Sequence, residues 1–391
     1  MEADQNPGLR GVADRFTRDG DDGLELHVAA VCREVVADAT RLVLAAKLEA
    51  ILLGGGYGRG EGGVLKTPAG DRPYNDLEFY IFLRGHPFVN QRKYGRAFHE
   101  LGERLSPEAG VEVEFKLTSR EHVARSAPSM FFYDLISGHR RLLGELGIWA
   151  GCEHHRDAAR IPLSEATRLL MNRCSGLLFA RERLQRDPFT AEEADFVGRN
   201  HAKAQLAFGD VVLVSQQQYH WSCLERQSRM GQLPVLVPWQ REVALLHAEA
   251  VEFKLHPQRR TLPLEEFKEK QEQLTTLALK VWLWIESQRL QRQFTSDLDY
   301  ALSPVNKCPE TNPGRNRLVN ARRFGAAALL DKRASRYPRE RLLNALTLLL
   351  WEPQAAVDPL LVRKIQAELN TEVTSFCDLV FAYRDLWQHF N

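Results

Sequence analysis

The sequence predicts an α+β protein, with a mixed sheet and flanking helices in an amino-terminal domain and an all-α helical bundle in a second domain. Short alternating apolar runs separated by turn signals occur within residues 24–158, which indicates strands and helices around a sheet. Residues 159–391 show helical spacing throughout. A chain of 391 residues is long enough for two such domains.

The composition argues against two classes of protein. The formal net charge of +1 is too low for a protein that coats nucleic acid. No apolar run has the length of a membrane span, and residues 1–23 are polar and lack the apolar core of a secretory signal, so we expect a flexible leader there. The six cysteines are scattered without a Cys-x-x-Cys pair, which is typical of reduced thiols. We therefore expect a cytoplasmic protein without a membrane partner.

The elements of the first domain follow from local patterns. Apolar residues at helical spacing predict a helix from residue 24 to about residue 50, and 51–53 predict a buried strand that ends in a run of glycines. Prolines and a glycine predict a loop over 66–74. Residues 76–83 alternate between polar and apolar, which predicts a half-exposed strand, and 94–105 have the spacing of a helix.

A second alternating segment, residues 111–117, completes the predicted sheet and places Glu112, Glu114 and Lys116 on one face. After about residue 161 the pattern is that of amphipathic helices. The clearest helices cover residues 267–284, 342–349 and 373–390, with a proline- and glycine-rich loop predicted at 303–314.

A glycine-rich turn, residues 54–63, is the first feature that carries chemistry; its sequence is GGGYGRGEGG. Glycines allow positive φ and close approach of the backbone, so that successive N–H groups can form a concavity that binds anions. Arg59 adds a fixed cation to the turn. This combination predicts a site for the phosphates of a nucleotide.

Carboxylates suited to a divalent cation follow on the next strand. Asp76 and Glu78 are two residues apart, so both project from one face as hard oxygen ligands for Mg²⁺, with Mn²⁺ as an alternative. Glu112 or Glu114 on the neighbouring strand can supply a third carboxylate. These two lie about 6–7 Å apart along a strand, so we expect only one of them to reach the same metal.

These motifs resemble those of the DNA polymerase β-like nucleotidyltransferase superfamily. The segment 55–61 is similar to the GSxARGE form of its phosphate-binding turn, and 76–79 match its Dh[DE]h strand, where h is hydrophobic. Residues 110–113 stand at the place of the third carboxylate, which favours Glu112 over Glu114. The motif Phe-Tyr-Asp-Leu with a following glycine, at 132–138, is similar to the next helix in many bacterial members, and the resemblance covers about residues 25–150.

The resemblance implies a nucleotidyltransferase that moves a nucleoside monophosphate from an NTP, expected to be ATP, to an acceptor and releases pyrophosphate. The acceptor stays open between a small molecule, RNA and a protein. Asp76, Glu78 and Glu112 are implied as metal ligands and as the catalytic set, with Glu112 as ligand or as general base. The implied nucleotide-binding residues are Gly55, Gly56, Arg59, Gly60 and Lys203.

Lys203 is included because many related transferases append a helical domain whose lysine reaches the triphosphate; a lysine without this role is the alternative. Two departures from the family pattern keep a different function open. Gly56 stands where the turn usually has serine, and residues 66–74 lengthen the connection to the first carboxylate. The alternative function is a weakened nucleotidyltransferase fold that acts as a regulator or toxin–antitoxin-type module and binds nucleotide or a partner without turnover.

Two further clusters have simpler interpretations. The basic stretch Arg315–Arg341 leaves RNA open as a partner, although such a run is more often a solvated helix face. Cys152, His154 and His155 lack a second pair of ligands, so we do not expect zinc there.

Overall fold

The computed structural model describes residues 15–258, 262–331, 333–352, 355 and 357–391. The chain divides into two compact units. The first unit combines Met1–Pro162 with Gln216–Pro234 and Ala248–Gln258, and the second combines Leu163–Ser215 with Val235–His247 and Arg259–Asn391. The predicted boundary between residues 158 and 159 lies close to Pro162, but two segments from the second half of the chain belong to the first unit.

The first unit contains a four-stranded mixed sheet with the strand order β5-β4-β1-β6. Strands β4 and β5 are parallel, whereas β1 is antiparallel to both β4 and β6. Strands β2 and β3 form a separate hairpin. The strands are β1 Leu48–Leu53, β2 Val64–Thr67, β3 Gly70–Pro73, β4 Leu77–Leu83, β5 Val113–Thr118 and β6 Arg140–Gly144.

Helices cover both faces of this sheet. The helices of the amino-terminal part are α1 Asp22–Leu42, α2 Gly55–Gly58, α3 Pro87–Ala109, α4 Arg120–Arg125 and α5 Met130–Ser137, with 3₁₀ turns at Leu146–Trp149, Glu153–His155 and Ala158–Arg160. Apolar side chains of α1 and α3 pack on one face, and those of α4, α5 and the first 3₁₀ turn pack on the other. The predicted mixed sheet with flanking helices is confirmed at this level.

The cover on both faces corrects the prediction that the strand at 76–83 is half-exposed. Leu77, Phe79 and Ile81 lie in one core, whereas Tyr80 and Phe82 lie in the other. Only the start of β4 remains partly open to solvent. The site predicted for this strand is therefore confined to its amino-terminal end.

The prediction of a loop at residues 66–74 is wrong, because most of this segment forms the β2–β3 hairpin. Gly70 at the turn has a φ of 112°, a conformation that favours glycine. The carboxylate of Asp71 accepts hydrogen bonds from the backbone N–H of Asp21 at 2.8 Å and from the Lys66 ammonium at 2.7 Å. The hairpin is thus tied to the residue that caps α1.

The predicted leader divides into two parts. Residues 1–14 lie outside the described residues. The side chains of Phe16 and Thr17 are buried, and α1 begins at Asp22 and ends at Leu42, earlier than the residue 50 predicted for it. Packed side chains of the first unit therefore occur before residue 24.

The later elements in the described ranges are helices. They are α6 Leu163–Arg183, α7 Ala191–Ser215, α8 Cys223–Gln232, α9 Gln240–Leu255, α10 Leu264–Leu290, α11 Asp297–Leu302, α12 Pro313–Phe324, a 3₁₀ turn Ala326–Leu330, α13 Arg339–Trp351, α14 Pro359–Leu369 and α15 Phe376–Phe390. Helix α8 and the last half of α9 lie in the first unit. None of the helices in the described ranges combines the length and apolarity that a bilayer span requires.

Helices α6, α7 and α10 pack against one another in the second unit, which also contains a buried polar centre on α10. Glu286 on α10 is fully buried. It accepts hydrogen bonds from Thr167 at 2.5 Å, Tyr300 at 2.6 Å and the Arg289 guanidinium at 2.7 Å. Each carboxylate oxygen is thereby satisfied, which is the condition for burying a charge in a helical core.

Candidate functional site

The glycine-rich turn, residues 54–63, connects β1 to β2 and contains the short helix α2. The backbone N–H of Gly54 donates to the carbonyl oxygen of Glu78 on the neighbouring strand at 2.9 Å. Gly55 and Gly60 have φ values of 61° and 74°, which explains why glycine stands at both positions. The fully buried Tyr57 fixes the turn, because its hydroxyl donates to the carbonyl oxygen of Gly63 at 2.7 Å.

Gly56 is required by the closure of the turn. The N–H of Glu61 donates to the carbonyl oxygen of Gly56 at 2.8 Å. A Cβ on Gly56 would stand 2.9 Å from the carbonyl oxygen of Glu61, closer than side chains pack against backbone. The serine of the family pattern would therefore collide with this turn unless the backbone moved.

The first two carboxylates stand at the amino-terminal end of β4. Asp76 directly precedes the strand, and Glu78 is its second residue. The Glu78 Oε1 atom lies 3.4 Å from the place that a Cβ on Gly55 would occupy, so this carboxylate lies against the glycine turn. The other oxygen, Oε2, accepts hydrogen bonds from the Tyr80 hydroxyl at 2.6 Å and from the Lys116 ammonium at 3.0 Å.

The two carboxyl groups have opposite pKa shifts. Burial raises the pKa of Asp76, and the negative charges of Glu78 and Glu114 raise it further. Burial also raises the pKa of Glu78, but the charge of Lys116 and the hydrogen bonds from Tyr80 and Lys116 outweigh it, so the net shift is downward. Glu78 therefore gives up its proton more readily than Asp76, and Asp76 lies where added positive charge would be stabilising.

The third carboxylate has two candidates in different environments. In the parallel register, Glu114 is the partner of Glu78, and its Oε2 lies 3.2 Å from the Lys116 ammonium. Glu112 precedes β5, is exposed, and contributes its carbonyl oxygen to a hydrogen bond with the Leu77 N–H at 2.9 Å. Glu114 is also the acid whose charge acts on Asp76. The sequence-based preference for Glu112 stays a prediction, and Glu114, the alternative that the sequence left open, is the acid that pairs with Lys116.

The carboxylates beside the turn fit a site for one hard cation with two protein ligands better than a site with three or more acidic ligands. The carboxylates of Asp76 and Glu78 supply hard oxygens, and Glu78 Oε1 faces the turn while Oε2 is engaged by Tyr80 and Lys116. Within the described part of the chain, no group of three or more His, Cys, Asp or Glu side chains has the spacing to hold a metal ion. The structure thus offers a pair of carboxylates beside the turn, and Lys116 lies between the second of them and Glu114.

Arg59, predicted as a phosphate ligand, follows α2 within the turn and is held by an ion pair. Its Nη1 lies 3.5 Å from Asp134 Oδ2, and its side chain is 11% exposed. The Asp134 carboxylate also accepts a hydrogen bond from the Tyr219 hydroxyl at 3.2 Å. The charge of Arg59 contributes to the lowered pKa values of both Glu78 on β4 and Glu61 in the turn, so the guanidinium stabilises the ionised form of both acids.

Glu61 has a role that the sequence analysis did not assign. It is buried, and its carboxylate accepts hydrogen bonds from the Ser222 hydroxyl and, at 2.9 Å, from the Cys223 N–H. Glu61 therefore satisfies donors at the amino terminus of α8, where a negative charge is favoured. Its place in the Arg-Gly-Glu part of the turn motif was a signal for this role.

Lys254 near the end of α9 was also missed. Its carbonyl oxygen would lie 3.0 Å from a Cβ on Gly63, which places the lysine backbone against the turn. Burial lowers the pKa of Lys254, and the charges of Arg59 and Arg226 act in the same direction, against those of Cys223 and Glu61. The Lys254 ammonium interacts electrostatically with Arg59 and Glu61 of the turn, which makes it a candidate ligand for phosphate. Lys203, the predicted lysine, lies on α7 in the second unit and stays a prediction.

Of the two clusters outside the turn, the histidines and the later arginines make contacts within the protein. His154 and His155 make hydrogen bonds to the backbone oxygens of Ser126 and Val123 at 3.0 Å and 2.9 Å. In the basic stretch, the later arginines pair with acids or carbonyl oxygens, whereas Arg315, Arg317 and Arg322 on α12 are exposed. The paired arginines are Arg323 with Asp385, Arg333 with Glu368, Arg336 with Glu340, Arg339 with the Phe390 carbonyl and Arg341 with Asp331. Lys332 lies outside the described residues.

Comparisons of the chain with protein-family models, with curated proteins and with solved structures found no match. The nucleotidyltransferase superfamily is therefore a resemblance carried by the motifs of residues 54–63 and 76–79 and by the acids of β5.

Proposed function

We propose that this protein is a Mg²⁺-dependent nucleotidyltransferase, which transfers a nucleoside monophosphate from an NTP, expected to be ATP, to an acceptor and releases pyrophosphate. One observation carries the proposal: the Glu78 carboxylate lies against Gly55 of the glycine turn. A phosphate-binding turn and metal-binding carboxylates must lie next to each other, because the metal ion is coordinated both by the carboxylates and by the phosphates. The mixed sheet would then be of the nucleotidyltransferase type, and the second unit its helical domain.

Asp76 and Glu78 Oε1 are the proposed ligands of Mg²⁺. When bound, the ion neutralises phosphate charge and stabilises the oxygens of the transferred group. Asp76 contributes a carboxylate whose proton affinity is raised by Glu78 and Glu114, so positive charge at this position relieves repulsion. Tyr80 and Lys116 orient Glu78 through its other oxygen. Either Glu112 or Glu114 would act toward the acceptor as general base.

The turn and two cations are proposed to hold the phosphates. Gly55 and Gly56 let the triphosphate approach the backbone, and Gly60 lets the chain adopt the positive φ that the turn requires. Arg59 and Lys254 supply positive charge beside the turn, which offsets the hydroxyl contact that Gly56 cannot make.

The test is pyrophosphate release by the purified chain with each NTP, Mg²⁺ and acceptors of three classes: small polyhydroxy or amino compounds, RNA and protein. The Asp76→Asn and Glu78→Gln variants should lose release by at least about a thousandfold. Asp71→Asn is a matched control, because Asp71 is a carboxylate of the β2–β3 hairpin that pairs with Lys66. Full activity in Asp76→Asn, or no release with any acceptor, would contradict the proposal.

A second candidate function is a regulator or toxin–antitoxin-type module that binds nucleotide or a partner without turnover. It is favoured by the ion pairs of Lys116 with Glu78 and Glu114, which satisfy two acids without a metal. Titration calorimetry with Mg-ATP separates the candidates. A regulator would bind nucleotide with an affinity that does not depend on Asp76, and it would release no pyrophosphate.

A further inference from the structure

Lys116 stands between two carboxylates of the candidate site. Its Nζ lies 3.0 Å from Glu78 Oε2 and 3.2 Å from Glu114 Oε2. The same ammonium lies 5.5 Å from the centre of the Tyr80 ring, within the range of a cation–π contact. A single unit of positive charge therefore faces two acids and an aromatic ring.

Strand pairing produces this position. Strands β4 and β5 are parallel, with Glu78 opposite Glu114 and Tyr80 opposite Lys116. Residues two apart on one strand share a face, so all four side chains project from the same side of the sheet. The lysine side chain reaches back along this face from the next pair. A lysine at this register is consequently part of the carboxylate cluster.

We propose that Lys116 is a resident cation of the site: it occupies the place between Glu78 and Glu114 that a second divalent ion would need. The site then accepts one divalent ion, at Asp76 and Glu78 Oε1, and Lys116 sets how tightly that ion binds. The inference rests on the proposed function only in taking Asp76 and Glu78 as ligands. Repulsion between the ammonium and an incoming ion lowers affinity, and removal of the ammonium exposes Glu114 as a further ligand.

If the ion pair of Lys116 with Glu114 served only to stabilise the fold, substitution of the lysine would have a different effect. Lys116 is 41% exposed and Glu114 is 37% exposed, so the pair contributes little to folding at such exposure. If stability were its function, removal of the lysine charge would leave metal affinity unchanged. Metal affinity is therefore the property to measure.

The experiment is Mn²⁺ binding to the full chain without nucleotide or acceptor, followed by the electron paramagnetic resonance signal of free Mn²⁺ and by calorimetry. Lys116→Gln should bind Mn²⁺ at least about tenfold more tightly than the wild type, or take up a second equivalent. Lys116→Arg, which keeps the charge, should resemble the wild type. Lys66→Gln removes a lysine that pairs with Asp71 and should also leave binding unchanged.

Glu78→Gln added to Lys116→Gln should abolish the gain, because the gained ligand set includes Glu78. Equal or weaker Mn²⁺ binding by Lys116→Gln, or undetectable binding by both proteins, would overturn the inference. Circular dichroism verifies folding, and Lys116→Met is a second neutral variant that retains the aliphatic stem. The Mn²⁺ experiment contains no nucleotide, so its outcome is separate from that of the activity assay. If Lys116→Gln binds Mn²⁺ more tightly but the wild type releases no pyrophosphate, only the proposed function is refuted. If the wild type releases pyrophosphate but Lys116→Gln binds Mn²⁺ as the wild type does, only this inference is refuted.

Discussion

The Glu61 carboxylate accepts a hydrogen bond of 2.9 Å from the backbone N–H of Cys223, the first residue of α8, 162 positions further along the chain. The contact joins the glycine turn to a segment that local sequence gave no reason to place there. The Ser222 hydroxyl donates to the same carboxylate, so the acid satisfies both the cap residue and the first residue of the helix. The turn is thereby supported from outside the sheet.

Glu61→Ala should destabilise the first unit by about 2 kcal/mol, because two donors at a buried helix terminus lose their charged acceptor. Burial raises the pKa of Glu61, but Lys254, Ser222, Cys223 and Arg59 bring it below the ordinary value of 4.5. The stabilisation is therefore complete above pH 4.5 and is lost as the pH falls through the lowered pKa. Urea unfolding at pH 7 should separate variant and wild type, and the difference should shrink in acid. A difference that does not depend on pH would contradict the charged role.

Asp76→Asn should stabilise the fold while it removes activity. The folded-state pKa of Asp76 lies above the ordinary value of 3.8, so the native state binds the proton more tightly than the unfolded chain. Stability conferred by the protonated acid is lost as the pH rises from 3.8 through the raised pKa, and at neutral pH the carboxylate is destabilising. Thermal unfolding without metal at pH 7 should give a higher Tm for Asp76→Asn than for the wild type. A lower Tm would show that the carboxylate stabilises the fold.

Glu114→Gln should lower the rate of pyrophosphate release more than Glu112→Gln, by about tenfold or more. Glu114 is opposite Glu78 and its charge reaches Asp76, whereas Glu112 is exposed ahead of the strand. Both substitutions remove one charge and preserve the size of the side chain, so each serves as the control for the other. The reverse order would support the choice of Glu112 that the family resemblance favours.

Lys254→Met should weaken the binding of Mg-NTP about tenfold, since a cation beside the turn is lost while the aliphatic stem is retained. Lys203→Met on α7 is the matched variant, because it tests the lysine that the resemblance implies. Fluorescent-nucleotide titration measures both. A loss confined to Lys203→Met would assign the triphosphate contact to α7 and exclude Lys254.

Arg289→Met should destabilise the second unit by about 3–5 kcal/mol, because it leaves the fully buried Glu286 without its bidentate partner. Arg292→Met removes the same side chain type from a pair with Asp299 that is 39% and 29% exposed, and it should cost less than about 1 kcal/mol. Urea unfolding followed by far-ultraviolet circular dichroism compares the two. Equal losses would show that burial does not govern these pairs.

Local patterns predicted much of the sheet and the pair of acids. Alternation alone placed Asp76 and Glu78 on one face of a strand, and it placed Lys116 and Glu114 together on the next. It could not show that Tyr80 and Phe82 are covered by a second core, since alternation does not report what packs on each face. The β2–β3 hairpin was missed because Gly70 and Pro73 are typical of loops and its strands are short.

The parts of the site that depend on contacts between residues far apart in the sequence could not be predicted. Glu61 and Lys254 acquire their roles from partners far away in the sequence, and no periodicity encodes such a meeting. Gly56 is a clearer case of what structure adds. In the sequence, Gly56 is a glycine at a position where the family pattern has serine. The structure shows that the closed turn leaves no space for a Cβ there.

The interleaving of the two units has a consequence for synthesis on the ribosome. The chain passes from one unit to the other five times, and the last segment of the first unit ends at Gln258. The sheet emerges early, but α8, which Glu61 caps, emerges only after residues 163–215 of the second unit, and Lys254 only after residues 235–247 as well. A nascent chain that stops near Pro162 would carry the sheet and its acids without these two supports, so completion of the first unit must wait for residues that the growing polypeptide delivers late.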